Sequence, residues 1–176
     1  MGMAMSSITA TEVSTFFLSL IVPIATGIVA AGFTAYFALN RFYREKWWEK
    51  KFVAYNSVLD NLFEINEIYK AASLYYEKEW IAQNNDNYSF PEDNVDWDKF
   101  HQIKAQLLRM YAFSPISLSL ASRTLLKSFF EADKEAERRS FEDGEHDFRI
   151  YDSMSSKIEE IIEAIVRDAE SELKFK

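Results

Sequence analysis

Arg123, Lys127, Lys134 and Arg138 recur at spacings of 4, 7 and 4, with Arg139 beside the last. On a helix the first four share one face and Arg139 adjoins it. Such a row of guanidinium and ammonium groups could receive a phosphate-bearing ligand, a nucleotide or an oligonucleotide, because each Arg offers parallel N–H groups to an oxyanion. In a symmetric oligomer, copies of the row would converge. Glu131, Glu135 and Glu142 stand three or four residues from these bases, so solvated ion pairs account for the same spacing without a ligand. A second group, Asp143, Glu145, His146 and Asp147, offers oxygen and imidazole ligands to a cation. A dinuclear carboxylate bundle, however, needs a Glu-x-x-His pair on each of two helices, so a solvated loop is the expected state of that segment.

The remaining chemistry is bounded by what the chain lacks. With 176 residues and no Cys, thiol nucleophiles, disulfides and thiolate metal sites are excluded. His101 and His146 are the only imidazoles, and neither sits in an H-E-x-x-H arrangement. The four glycines, at 2, 27, 32 and 144, are too scattered for a phosphate-cradling loop. Most carboxylates fall on the polar faces of helical patterns. No catalytic residue, cofactor or metal site is expected, and the chain is not expected to be an enzyme.

The elements that position these residues are helical. Four Gly and three Pro are too few turn residues for a many-stranded sheet protein. From Arg41 to Gln83 there is no Gly or Pro, and Trp48, Tyr55, Leu62, Asn66, Tyr69, Ser73 and Tyr76 belong to a 4-3-4-3 seam that also takes in Phe52, Leu59 and Trp80. That seam could pair with another copy or pack on helices of its own chain. The polar, Pro91-containing stretch from Gln83 to Val95 reads as a loop. Asp96 can cap a helix over Trp97 to Phe113, with Trp97, Phe100, Ile103, Leu107, Leu108 and Tyr111 buried. Ser114-Pro115 should cap and open the next, which carries the basic row opposite Ile116, Leu120, Leu125, Leu126, Phe129 and Phe130. After Asp143-Gly144, Tyr151, Met154, Ile158, Ile161, Ile165, Ala169 and Leu173 mark a final helix.

Charge is distributed over three zones. Glu12 is the only charged side chain before Arg41, leaving the 28 residues from Val13 to Asn40 uncharged. A helix of that length rises about 42 Å, more than a hydrocarbon core requires. A cleaved signal peptide would need a basic leader, and Met1 to Thr11 contains no charged side chain, so an uncleaved anchor is expected. Arg41 to Phe52 then carries five bases and two acids, whereas Val53 to Lys176 holds 15 bases against 25 acids. The positive-inside rule places the N-terminus outside and residues 41–176 in the cytoplasm, with residues 1–40 as the transmembrane segment. Arg41, Arg44, Trp47, Trp48 and Lys51 are the expected membrane-interface residues, with the lipid bilayer as their partner. Within the span, Thr15, Ser19 and Thr26 fall within about 60° of one another. Thr26, Ala30, Thr34 and Ala38 repeat every fourth residue, a small-xxx-small surface suited to close helix packing or to a polar pore lining. Pro23 interrupts the hydrogen-bond ladder between the two halves. Back-bonding of the hydroxyls to their own helix is the plainer account of the same residues.

The segment from Arg41 to Tyr55, RFYREKWWEKKFVAY, follows directly on this span. It resembles the junction of small bacterial inner-membrane proteins that have one span and a helical cytoplasmic domain, a layout shared by Hailong-type antiphage membrane effectors. Arg41, Arg44, Trp47, Trp48 and Lys51 carry the resemblance, which extends from the span to Tyr69. It implies a homo-oligomeric channel in which a ligand or sensor protein acting on the cytoplasmic bundle rearranges the membrane helices. The expectation is therefore an all-α fold: a single N-terminal transmembrane helix continuing into a cytoplasmic helical bundle, oligomeric, acting as a regulated ion-conducting pore in antiphage defence. The alternative is a membrane-anchored scaffold that binds a protein partner through its acidic, aromatic-rich bundle.

Overall fold

The computed structural model describes the backbone of residues 10–85, 88–92, 94–141 and 146–174, and their side chains except at 10–14, 16–18, 20, 22 and 141. The chain is all-helical: α1 (Ala10–Asn84), α2 (Trp97–Phe113), α3 (Leu120–Phe141) and α4 (Asp147–Leu173), with a 3₁₀ turn at Ser114–Ile116 and no strand among the described residues. Two compact units divide it, Met1–Trp47 and Trp48–Lys176. At the start of the second unit the Trp48 indole N–H donates to Leu173 O at 3.0 Å.

The described part of the first unit, from Ala10 onward, is one stretch of helix. Pro23 removes one ladder hydrogen bond, yet the helix passes through it. α1 holds an apolar run long enough to cross a membrane. Its side chains stand clear of the rest of the unit, with Ile28 at 68% and Phe33 at 62% of full exposure.

The second unit is an up-down-up-down four-helix bundle. The run of α1 from Trp48 onward lies antiparallel to α4: Lys51 pairs with Glu172, Tyr55 bonds Asp168, Asn66 bonds Ser155 and Ser73 bonds Phe148 O, so one number rises as the other falls. α2 runs against α3, through Lys104 with Glu137 and Tyr111 with Phe130. Leu62, Ile65, Leu107, Leu126, Phe129, Ile158 and Ile165 are fully buried at its centre. Each such side chain contributes roughly 1.5–3 kcal/mol of hydrophobic stabilisation. Asp96 caps α2 as its spacing requires, its Oδ1 accepting from Lys99 N–H at 2.8 Å.

Four expectations are corrected by packing. The 4-3 seam of α1 packs inside its own chain, and over four heptads a straight helix drifts by about 20° per heptad from a 3.5-residue repeat. Phe52 and Trp80 at its ends are therefore exposed, while Val58, Ile65, Ile68 and Ala72, off the seam, are buried. Leu108 is 54% exposed, because Phe100, Ile103 and Leu107 define the buried stripe and the next residue is turned about 100° from it. Ser114 does not open the third helix. Its hydroxyl donates back to Tyr111 O at 2.6 Å and its carbonyl accepts from Ser117 and Leu118 N–H, closing the 3₁₀ turn. α3 starts after Ser119, whose Oγ accepts from Ser122 N–H at 3.0 Å. Ile116 and Leu120 consequently sit on the turn and at the first helical position, where they are exposed instead of buried.

Candidate functional site

Thr15, Ser19, Thr26, Ala30 and Thr34 are all exposed on α1. The Thr34 hydroxyl donates to Ala30 O at 2.9 Å, the back-bond that satisfies a hydroxyl within its own helix. A Cβ added at Gly27 or Gly32 meets nothing within 4 Å, so there is open space beside both glycines. Of the expected interface residues, Arg44 and Trp47 are exposed and Arg41 pairs with Glu45 at 2.8 Å one turn along. Trp48 stacks on Phe52 and Lys51 pairs with Glu172 at 2.5 Å.

The basic row resolves into two parts. Arg138 is closed on Glu135 through two hydrogen bonds, at 2.7 and 3.1 Å, and the first consequence is a Glu135 carboxyl held below its usual range. Lys127 pairs with Glu131 at 3.2 Å, Lys134 is exposed and Arg139 is half-buried. The Arg138–Glu135 and Lys127–Glu131 contacts are solvated i, i+3 and i, i+4 pairs that the spacing allows; Glu142 lies outside the described residues. Arg123 differs. Its Nε is buried and has no hydrogen-bond partner among the described residues, and Arg123, Lys127, Ser114 and Thr124 line an open cavity of about 380 Å³ beside the 3₁₀ turn. A buried cationic donor without an acceptor is costly.

Asp143 and Glu145 lie outside the described residues. His146 is engaged with rings, stacked on Phe148 and edge-on to Trp80. Asp147 accepts from the Ser140 hydroxyl at 2.8 Å. Among the described residues no three His, Asp or Glu side chains are arranged to hold a metal ion.

Two polar centres were missed in the sequence. At the Trp48 end of the bundle, Asp168 Oδ2 accepts from the Tyr55 hydroxyl at 2.9 Å and the Ser122 hydroxyl at 2.5 Å, and from the Ser119 hydroxyl as well. Burial opposes the charge of Asp168, but these hydroxyl bonds outweigh it and hold the carboxyl below its ordinary range. At the other end, Asp133 accepts from the buried Tyr69 hydroxyl at 2.7 Å and from Lys104, which also reaches Glu137 at 3.2 Å. Burial pushes the Tyr69 hydroxyl far up, helped by the charge of Asp133, and burial raises Tyr151 too, so both phenols stay protonated. Both carboxylates had a signal: Asp133 stands four residues from Phe129, and Asp168 three from Ile165, at the spacing of the buried faces.

No family model, no curated protein and no solved structure matches the chain. The functional reading therefore stands on the residues and their geometry.

Proposed function

We propose that this chain is an oligomeric single-pass membrane effector whose N-terminal helix crosses the bacterial inner membrane with its N-terminus outside, and that the assembled spans form an ion-conducting pore regulated through the cytoplasmic bundle, in antiphage defence. The observation that carries this reading is a contrast between the units. The described residues of the bundle close a core across its four helices, whereas the described apolar and small residues of the first unit stand exposed along their own helix. Such a surface requires lipid, other copies, or both, and the small residues favour close helix–helix approach. The cavity at Arg123 and Lys127 supports a phosphate-bearing ligand as the regulator.

The purified full chain in liposomes and planar bilayers tests the proposal. Cation flux and unitary conductance, lost when residues 1–40 are replaced by an unrelated membrane helix, are the expected results. A correctly inserted oligomer that passes no current with or without nucleotide ligands would overturn the pore.

A second reading, the anchored scaffold, is favoured by an apolar corner of the bundle. Ala54, Val58, Met110, Phe113 and Leu118 line an open cavity of about 540 Å³, and Phe113 is 61% exposed. Retention of activity after exchange of the span would select this reading.

A further inference from the structure

The cavity at the end of the bundle away from Trp48 has a different chemistry from the basic one. It encloses about 340 Å³, within the usual range of small-molecule sites of about 300–1,000 Å³, and receives side chains from all four helices. Four of its walls are aromatic, and the rings close on themselves. Trp97 meets Phe100 at 5.7 Å between centroids, Phe100 meets Tyr69 at 5.2 Å, Tyr69 meets Tyr151 at 5.8 Å, and Tyr151 returns to Trp97 at 5.5 Å. Two of these pairs are edge-on, at 81° and 71°, and two are tilted, at 45° and 31°. The arrangement turns ring faces in more than one direction.

The polar part of the lining is mostly acidic, with His101 and Ser140 beside three carboxylates. Asp133, Glu137 and Asp147 face the cavity and no Lys or Arg does. Lys104 borders it and bonds both Asp133 and Glu137, which leaves the surroundings with two negative charges in excess. The Lys104 ammonium also stands 5.7 Å from the centroid of Phe100, so one ring of the set already works as a cation surface. Ring faces beside a net negative charge attract a positive charge that carries apolar surface, and they disfavour anions.

We infer that this cavity binds a soluble organic ammonium ion, a quaternary or alkylated amine, held by the rings of Trp97, Phe100, Tyr69 and Tyr151 and by the field of Glu137 and Asp147. Because every helix of the bundle contributes to the wall, occupancy stabilises the folded bundle by mass action. The inference does not depend on whether the span conducts.

The test uses the full chain in a maltoside detergent, free of choline lipids, titrated calorimetrically with choline chloride against sodium chloride of equal ionic strength. The neutral comparison is 3,3-dimethylbutan-1-ol, which replaces the nitrogen by carbon. Saturable 1:1 binding of choline is expected, with the alcohol weaker by at least about tenfold. Trp97→Leu should weaken choline binding at least about tenfold by removing a ring wall. Glu137→Gln, at a side chain 62% exposed and so safe for folding, should weaken it about threefold. Absence of saturable heat up to about 10 mM choline, equal binding of the alcohol, or wild-type affinity in Glu137→Gln and Trp97→Leu together would each overturn the inference.

Discussion

Replacing Asp168 by Ala should loosen the bundle at the end where α1 enters it. One carboxylate oxygen there accepts the hydroxyls of Tyr55, Ser119 and Ser122, and thereby ties α4 to α1 and to the start of α3. A hydrogen bond to a charged acceptor contributes about 1.5–3 kcal/mol, and three sharing one oxygen fall short of additivity. Tyr55 and Ser122 are fully buried, so removal of the acceptor takes a partner from two buried hydroxyls. The expected loss for Asp168→Ala is about 3–4 kcal/mol, or about 10 °C in Tm for a domain of this size. Tyr55→Phe removes one donor and leaves the carboxylate two, so about 1–1.5 kcal/mol is expected. Near-UV circular dichroism of the full chain in detergent follows the aromatic packing of the bundle separately from the helicity of the span. The pH dependence has a definite sign. The folded carboxyl sits below its unfolded value of about 3.9, so its contribution is complete above that value and is lost as pH falls through the folded pKa. The wild-type advantage over Asp168→Ala should hold from pH 7 to about 5 and shrink below about 4. A shift under about 3 °C for Asp168→Ala, or an advantage unchanged at acid pH, would refute the reasoning.

Lys104→Met strands Asp133, a carboxylate 5% exposed, and should cost about 3 kcal/mol; adding Asp133→Asn should recover at least about half, measured as a double-mutant cycle in urea. Ile158→Ala opens a cavity at a fully buried site and should cost about 3 kcal/mol in the same titration, whereas Leu120→Ser at an exposed one should change stability by less than about 0.5 kcal/mol. Gly27→Leu leaves the chain unstrained, since nothing lies within 4 Å of the new Cβ, but it blocks close approach on the small-residue face. Crosslinked oligomer in membranes should fall about tenfold, and an unchanged oligomer yield would move the contact to another face.

What could be read in advance was set by local rules. Asp96 and the 100, 103, 107 stripe define α2 because a cap and a 3.6-residue period act within one helix, and the Met154 to Ala169 seam defines α4 for the same reason. The charge-free run and its basic flank are likewise local. The start of α3 was misplaced because Ser114 and Ser119 both fit a cap, and the choice between them is made by three-dimensional contacts: Ser119 also bonds Asp168, 49 residues away. The seam of α1 was legible as a stripe but not as an interface, since heptads do not say whether the partner is another copy or α4. The aromatic cavity was out of reach for a related reason. Tyr69, Trp97 and Tyr151 each looked like ordinary core residues, and only the convergence of helices far apart in sequence sets their rings around a space beside Asp133 and Glu137.

The contact of Trp48 with Leu173 O, followed by Lys51 with Glu172 and Tyr55 with Asp168, has a mechanical consequence. The bundle receives and releases the polypeptide at one doorway, so tension between the two flanking segments peels α4 from α1 one pair at a time, as a zipper opens, instead of shearing the whole helix pair at once. Single-molecule pulling on handles before Trp48 and after Leu173 would meet little resistance, and the bundle would yield from the doorway inward, with the ring of Tyr69 and Tyr151 giving way late.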